Sequence, residues 1–234
     1  MTDTPKTDGK VQHWAELLSN RFDTQGTPFA TRWISQRAGA LLAAGAFRFH
    51  ISANALTLSG LVCIILGCVF YVHANSVPAW VCAGLLWQLA FSFDCADGQL
   101  ARATRTTSAY GAWLDLACDH VREAVLSATV LYVLLTSGIP LHVALTSTTL
   151  KVIGSLLFLH TVSTLKADDY KPLRLDSMQG MARQIVRNSI DTPVYLLVLA
   201  SLRPFPHALQ WVVLVYGIFQ GLSAIALGLK RIKA

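Results

Sequence analysis

The sequence predicts an all-α integral membrane protein, with six transmembrane helices preceded by an interfacial amphipathic helix. Three observations carry that expectation. Of 234 residues, 53% are hydrophobic and 14% charged, a balance too apolar for an ordinary soluble domain. Several apolar runs reach the roughly 20 residues that a helix needs to cross a bilayer. The lysines and arginines gather in connections that fall on one side of such a bundle.

Taken in order, residues 1–26 form a polar N-terminal segment, 27–49 the interfacial helix and 50–234 the six-helix transmembrane domain. No cleavable signal is expected, because Met1–Lys10 is polar and precedes no short apolar core. Thr27-Pro28 is a helix start, with proline at the first helical position. Phe29, Trp33, Ala40, Leu41, Ala44 and Phe47 follow as an apolar stripe, with Arg32, Arg37 and Arg48 off it. That pattern suits a helix in the interface plane whose arginines meet anionic headgroups. A first membrane span is the weaker alternative, since arginines interrupt it early.

Span one runs from about Asn54 to His73, and the turn Ala74-Asn75-Ser76-Val77-Pro78 follows. Span two starts near Pro78 and runs into an aspartate-rich stretch. Span three carries a second aspartate pair and continues to about Ser137, where Gly138-Ile139-Pro140 breaks the chain. Span four reaches about Leu165, and a polar, basic connection extends from Lys166 to about Arg183. The apolar run Thr192–Leu202 is short, so span five has to begin near Arg183 to cross. Arg203-Pro204-Phe205-Pro206 ends it, and span six reaches Gly228. In this arrangement Arg203 alone lies in a connection opposite the other basic residues. Both termini are therefore expected in the cytoplasm, with the protein in the inner (cytoplasmic) membrane.

The net charge of +6 does not point to nucleic acid, because no basic-aromatic module is present. Cys63, Cys68, Cys82, Cys95 and Cys118 lie in or beside apolar runs without a C-x-x-C pair, and are read as small buried side chains.

The chemistry concentrates between Asp94 and Asp119. Asp94 and Asp97 are three residues apart and Asp115 and Asp119 four, so each pair shares one helix face. At about 1.5 Å rise per residue, Asp94 and Asp97 lie about 24 and 29 Å along span two from Pro78. Counted back from Ser137, Asp119 and Asp115 lie about 27 and 33 Å along span three. All four converge at the cytoplasmic boundary of a hydrocarbon core about 30 Å thick. Two facing carboxylate pairs make an all-oxygen site for a hard divalent cation, Mg²⁺ or Mn²⁺. Gly98 and Gly111 allow a ligand or backbone to approach closely, and Arg102, one turn past Gly98, suits a phosphate or pyrophosphate. Taken singly, those glycines are also ordinary packing residues and Arg102 an interface residue.

Together these residues resemble the CDP-alcohol phosphotransferase family, whose signature is D-x-x-D-G-x-x-A-R-x8-G-x-x-x-D-x-x-x-D. Asp94, Asp97, Gly98, Ala101, Arg102, Gly111, Asp115 and Asp119 fill every defined position with the spacer intact. Asn54-Ala55-Leu56-Thr57 is similar to the N-x-x-T that opens the first span in such proteins, with Ala53 where many members have proline. The resemblance implies displacement of CMP from a CDP-linked donor by an alcohol, at two divalent metals. It implies Asp94, Asp97, Asp115 and Asp119 as metal ligands and Asp119 as general base on the acceptor hydroxyl. Gly98, Ala101, Arg102, Gly111, Asn54 and Thr57 would line the CDP-donor pocket. A homodimer is implied on the same ground.

On the acceptor side, Arg183, Arg187 and Asp191 are spaced by four. The arginines would grip an acceptor phosphate, or serve as positive-inside anchors with an Arg187–Asp191 ion pair. Lys151 falls near mid-membrane, and Glu123 is its candidate partner. The two form a buried structural pair or contribute to the acceptor pocket. The expected reaction, at the surface of the lipid bilayer, moves a phosphatidyl group from CDP-diacylglycerol to a polar, phosphorylated polyol of inositol phosphate or glycerol phosphate type. The alternative keeps the chemistry and passes a CDP-activated headgroup to a lipid alcohol. A cation transporter fits poorly, because no acids line the far half of the bundle and Arg102 would have no purpose.

Overall fold

The structure, a computed structural model, describes residues 28–73, 76–163 and 191–232. Those residues are helical apart from short turns. A π-helical turn, Thr31–Ser35, leads into α1 (Gln36–Arg48). Then come α2 (Ala53–His73), α3 (Val77–Ala103), α4 (Ala109–Thr136), α5 (Leu141–Ser163), α6 (Thr192–Ser201) and α7 (Pro206–Ile232). By length and composition four of these, α2, α3, α5 and α7, can cross a membrane.

The two remaining expected spans differ from those four for separate reasons. α4 has 28 residues, enough length, but Asp115, Asp119, Arg122 and Glu123 make its first half polar. α6 has 10 residues, about 15 Å at the usual rise, and is too short by itself. Its helix was expected from about Arg183, yet α6 begins at Thr192. Asp191 precedes it with extended backbone (ψ 112°) and Pro193 sits in its first turn, where a missing N–H costs nothing. Arg183 and Arg187 lie outside the described residues.

The packing follows from small residues and a few large ones. α2 lies along α3 and α4, α5 lies along α7, and α3 also meets α1 and α6. A Cβ on Gly154 or Gly217 would run into the backbone of the facing helix, so glycine is what lets α5 and α7 approach so closely. Trp87 and Tyr71 are fully buried in the main core with Ile64, Val133, Leu134, Leu196, Leu199 and Val213. The Tyr71 hydroxyl donates to the carbonyl of Leu199 at 2.8 Å, which satisfies the one polar atom that this large ring buries.

The apolar stripe of the N-terminal helix is divided between core and surface. Gly39, Ala40, Ala43, Ala44 and Ala46 are buried, while Phe29, Trp33 and Leu41 are exposed. The reason is close packing on α3. A Cβ on Gly39 would lie 2.8 Å from Cys95 Cβ and 3.0 Å from the Ser92 carbonyl. Large side chains cannot enter that contact, so they point away. The start of this helix is held by buried Asp191, whose Oδ2 accepts from the N–H of Ala30 at 2.9 Å and of Thr31 at 3.1 Å. Thr31 Oγ1 donates to its other oxygen at 2.5 Å. The carboxylate expected opposite Arg187 is thus engaged by the first helix. The cysteines also depart in part from the expectation. All five are free, but Cys82 is exposed and only Cys68 and Cys118 are buried.

Candidate active site

α3 ends and α4 begins in a way that folds the two aspartate pairs onto each other. After α3, the N–H of Thr104 bonds the Leu100 carbonyl and that of Thr106 the Ala101 carbonyl, both at 2.9 Å. Between them Arg105 takes a left-handed conformation (φ 56°), the usual way to close a helix C-terminus and reverse the chain. Ser108 then caps α4, its Oγ accepting from the Gly111 N–H at 3.0 Å. The reversal is only five residues long, so the last turns of α3 face the first turns of α4.

Asp94, Asp115 and Asp119 converge there. One carboxylate oxygen from each lies within 4.8 Å of the others. Three hard oxygen donors at that separation match the coordination chemistry of Mg²⁺ or Mn²⁺. Asp97 stands apart from this trio. It is buried, accepts from Thr57 Oγ1 at 2.5 Å and from the Gly98 N–H at 2.5 Å. Thr57 belongs to α2, so a third helix orients this carboxylate.

Beside the trio opens a cleft of about 160 Å³, lined by Asn54, Thr57, Asp97, Gly98, Ala101, Arg102, Gly111 and Asp115 among others. Every residue that the sequence assigned to the CDP-donor pocket borders this one space. Gly98 is where the Arg102 guanidinium folds back, since a Cβ there would lie 3.0 Å from Nη1. At Gly111 the Ser108 and Asn54 side chains close in similarly, at 3.2 and 3.5 Å.

Arg122 is the residue that sequence reasoning missed. Its Nη2 donates to Asp94 Oδ1 at 2.7 Å and also to Asp119 Oδ1. The signal was available, because a residue three after Asp119 shares its helix face. Lys151 is placed elsewhere. It is 3% exposed and forms an ion pair with Glu123, as the candidate pairing expected. Ser127 Oγ lies 3.3 Å from its Nζ, and the Tyr195 ring 5.6 Å. Lys151 does not border the cleft.

The fold and site define a helical integral membrane protein with an acidic center at one end of two antiparallel helices. The model of the CDP-alcohol phosphatidyltransferase family matches residues 50–229, and the chain belongs to that family. It is accordingly a membrane transferase of phospholipid synthesis that acts on a CDP-linked substrate. Comparison with curated proteins returns no match.

Proposed function

We propose that this enzyme transfers the phosphatidyl group of CDP-diacylglycerol to a hydroxyl of a phosphorylated polyol, of inositol phosphate or glycerol phosphate type. The observation that carries the chemistry is the Asp94–Asp115–Asp119 trio beside a cleft bordered by Arg102, Gly98 and Gly111. Asp94, Asp97, Asp115 and Asp119 would hold two Mg²⁺ or Mn²⁺ ions, which when bound neutralise the pyrophosphate and stabilise departing CMP. Arg102 binds donor phosphate, and Asn54 and Thr57 frame the nucleotide end of the cleft. Asp119 takes the proton of the attacking hydroxyl. The new bond joins that oxygen to the phosphorus bearing diacylglycerol, and the bond from this phosphorus to CMP breaks.

The same reading completes six spans with α4 and the segment containing α6, and places both termini and the site in the cytoplasm. Residues 27–49 form the interfacial helix, its exposed Phe29, Trp33 and Leu41 meeting lipid. Arg183 and Arg187 grip the acceptor phosphate, while Lys151, the third acceptor-side candidate, is held in its pair with Glu123. A homodimer belongs to this reading on resemblance to the family.

The test is CMP release by purified protein in detergent, with Mg²⁺, CDP-diacylglycerol and a panel of polyols and polyol phosphates. Release that depends on a polyol phosphate is the expected result and names the acceptor. Release only from a CDP-headgroup with a lipid alcohol overturns the assignment of donor and acceptor. EDTA should stop turnover and added Mg²⁺ or Mn²⁺ restore it; chelator-resistant turnover would sink the metal assignment.

A further inference from the structure

Arg122 sits among the acids proposed to bind metal, in a position that no donor or acceptor role requires. It projects from α4 and joins Asp119 on its own helix to Asp94 on α3. Its side chain is 15% exposed, against 26% for Asp94 and 24% for Asp119. It also lines a small recess with Thr57, Gly60, Asp94 and Cys118. The guanidinium therefore bonds carboxylates within the cluster. The trio sets three carboxylates against one guanidinium, which bonds two of them, so the cluster keeps an acid without that partner and its attraction for a cation.

The pairing is uneven across the site. Arg122 bonds Asp94 and Asp119, while Asp97 is held by Thr57 and its neighbouring N–H. A divalent cation needing Asp119 has to compete with a fixed positive group for the same oxygens. A cation held toward Asp97 and Asp115 does not. We propose that Arg122 is an internal counter-cation that lowers the divalent affinity of the Asp94–Asp119 half of the site. It thereby makes full metal loading depend on the anionic donor. The pyrophosphate of the donor adds negative charge and oxygen ligands, and so tips the competition toward the metal. This inference rests on the reading of the aspartates as metal ligands.

The experiment is Mn²⁺ binding to purified full-length protein in detergent without substrate, followed by the resonance signal of free Mn²⁺. R122Q should lower the Kd of the weaker Mn²⁺ by about tenfold, a change of about 1.4 kcal/mol. R122K, which keeps the charge, should stay close to wild type. Equal or weaker Mn²⁺ binding by R122Q overturns the proposal. Absence of Mn²⁺ binding by both wild type and R122Q overturns the metal reading itself. Should R122Q fail to fold, wild-type protein supplies a second readout, arginine-selective labelling with phenylglyoxal read by peptide mass. Labelling of Arg122 that rises when Mn²⁺ and CDP-diacylglycerol are added together supports displacement of the guanidinium, and labelling that stays level with both present refutes it.

Discussion

Two charged clusters lie next to each other on α4 and behave as opposites. Asp119 and Arg122 face α3, where with Asp94 and Asp115 they make a group of three acids and one base. Glu123 meets Lys151 of α5 in a one-to-one pair, with Ser127 donating to Glu123 Oε1 at 3.0 Å. The first cluster is partly exposed and carries excess negative charge, so it can take up further cations. The second is balanced, and its lysine is 3% exposed, so it has nothing left to bind. Acidic residues near a membrane are thus not all alike. Stoichiometry and access separate a binding site from a closed structural pair.

Substitutions at the two clusters should therefore fail in different ways. The largest effect is expected at the open one. Asp119→Asn should cut CMP release by about 100- to 10,000-fold, the usual range for losing a general base. Donor binding and the unfolding temperature should stay close to wild type, and turnover near wild type would remove Asp119 as the base.

At the balanced pair the loss should appear in stability first. Lys151→Met leaves Glu123 facing an apolar partner and should cost about 3–5 kcal/mol, read as a lowered unfolding temperature in detergent. Adding Glu123→Leu should recover most of that loss, since replacing both members removes the stranded charge. If the double variant is stable yet has a raised KM for the polyol phosphate, Lys151 also serves the acceptor, and the contrast between the clusters weakens.

The smallest effect concerns the carboxylate that stands outside the trio. Thr57→Val removes the hydroxyl that donates to Asp97. A bond to a charged acceptor is worth about 1.5–3 kcal/mol, and part of that should show as about a tenfold fall in kcat/KM. An unchanged kcat/KM would mean that Asp97 needs no support from α2.

Much of the site was legible because its spacing is helical. The i,i+3 and i,i+4 intervals put each aspartate pair on one face, and helix rise brought both pairs to one depth. Neither inference required a partner distant in sequence. The same reasoning placed Glu123 opposite Lys151, where a buried lysine needs an acid. It does not reach contacts made by an element far away in the chain. The spacing puts Asp191 in a row with Arg183 and Arg187, which lie outside the described residues, and gives no sign that its carboxylate binds the backbone at Ala30 and Thr31, about 160 positions away in the chain.

By itself, then, the sequence determined the helical membrane class, the family and the identity of the acids, because hydropathy, periodicity and a spaced motif are local properties. Tertiary structure alone decided three further matters. Ala40 and Ala44 face inward while Phe29 and Trp33 do not, because the contact of Gly39 with α3 admits only small side chains. Asp97 is set apart from the trio by a hydroxyl from α2. Arg122 joins the acids because α3 and α4 turn back on each other at Arg105, and a charge competes only for the oxygens within its reach.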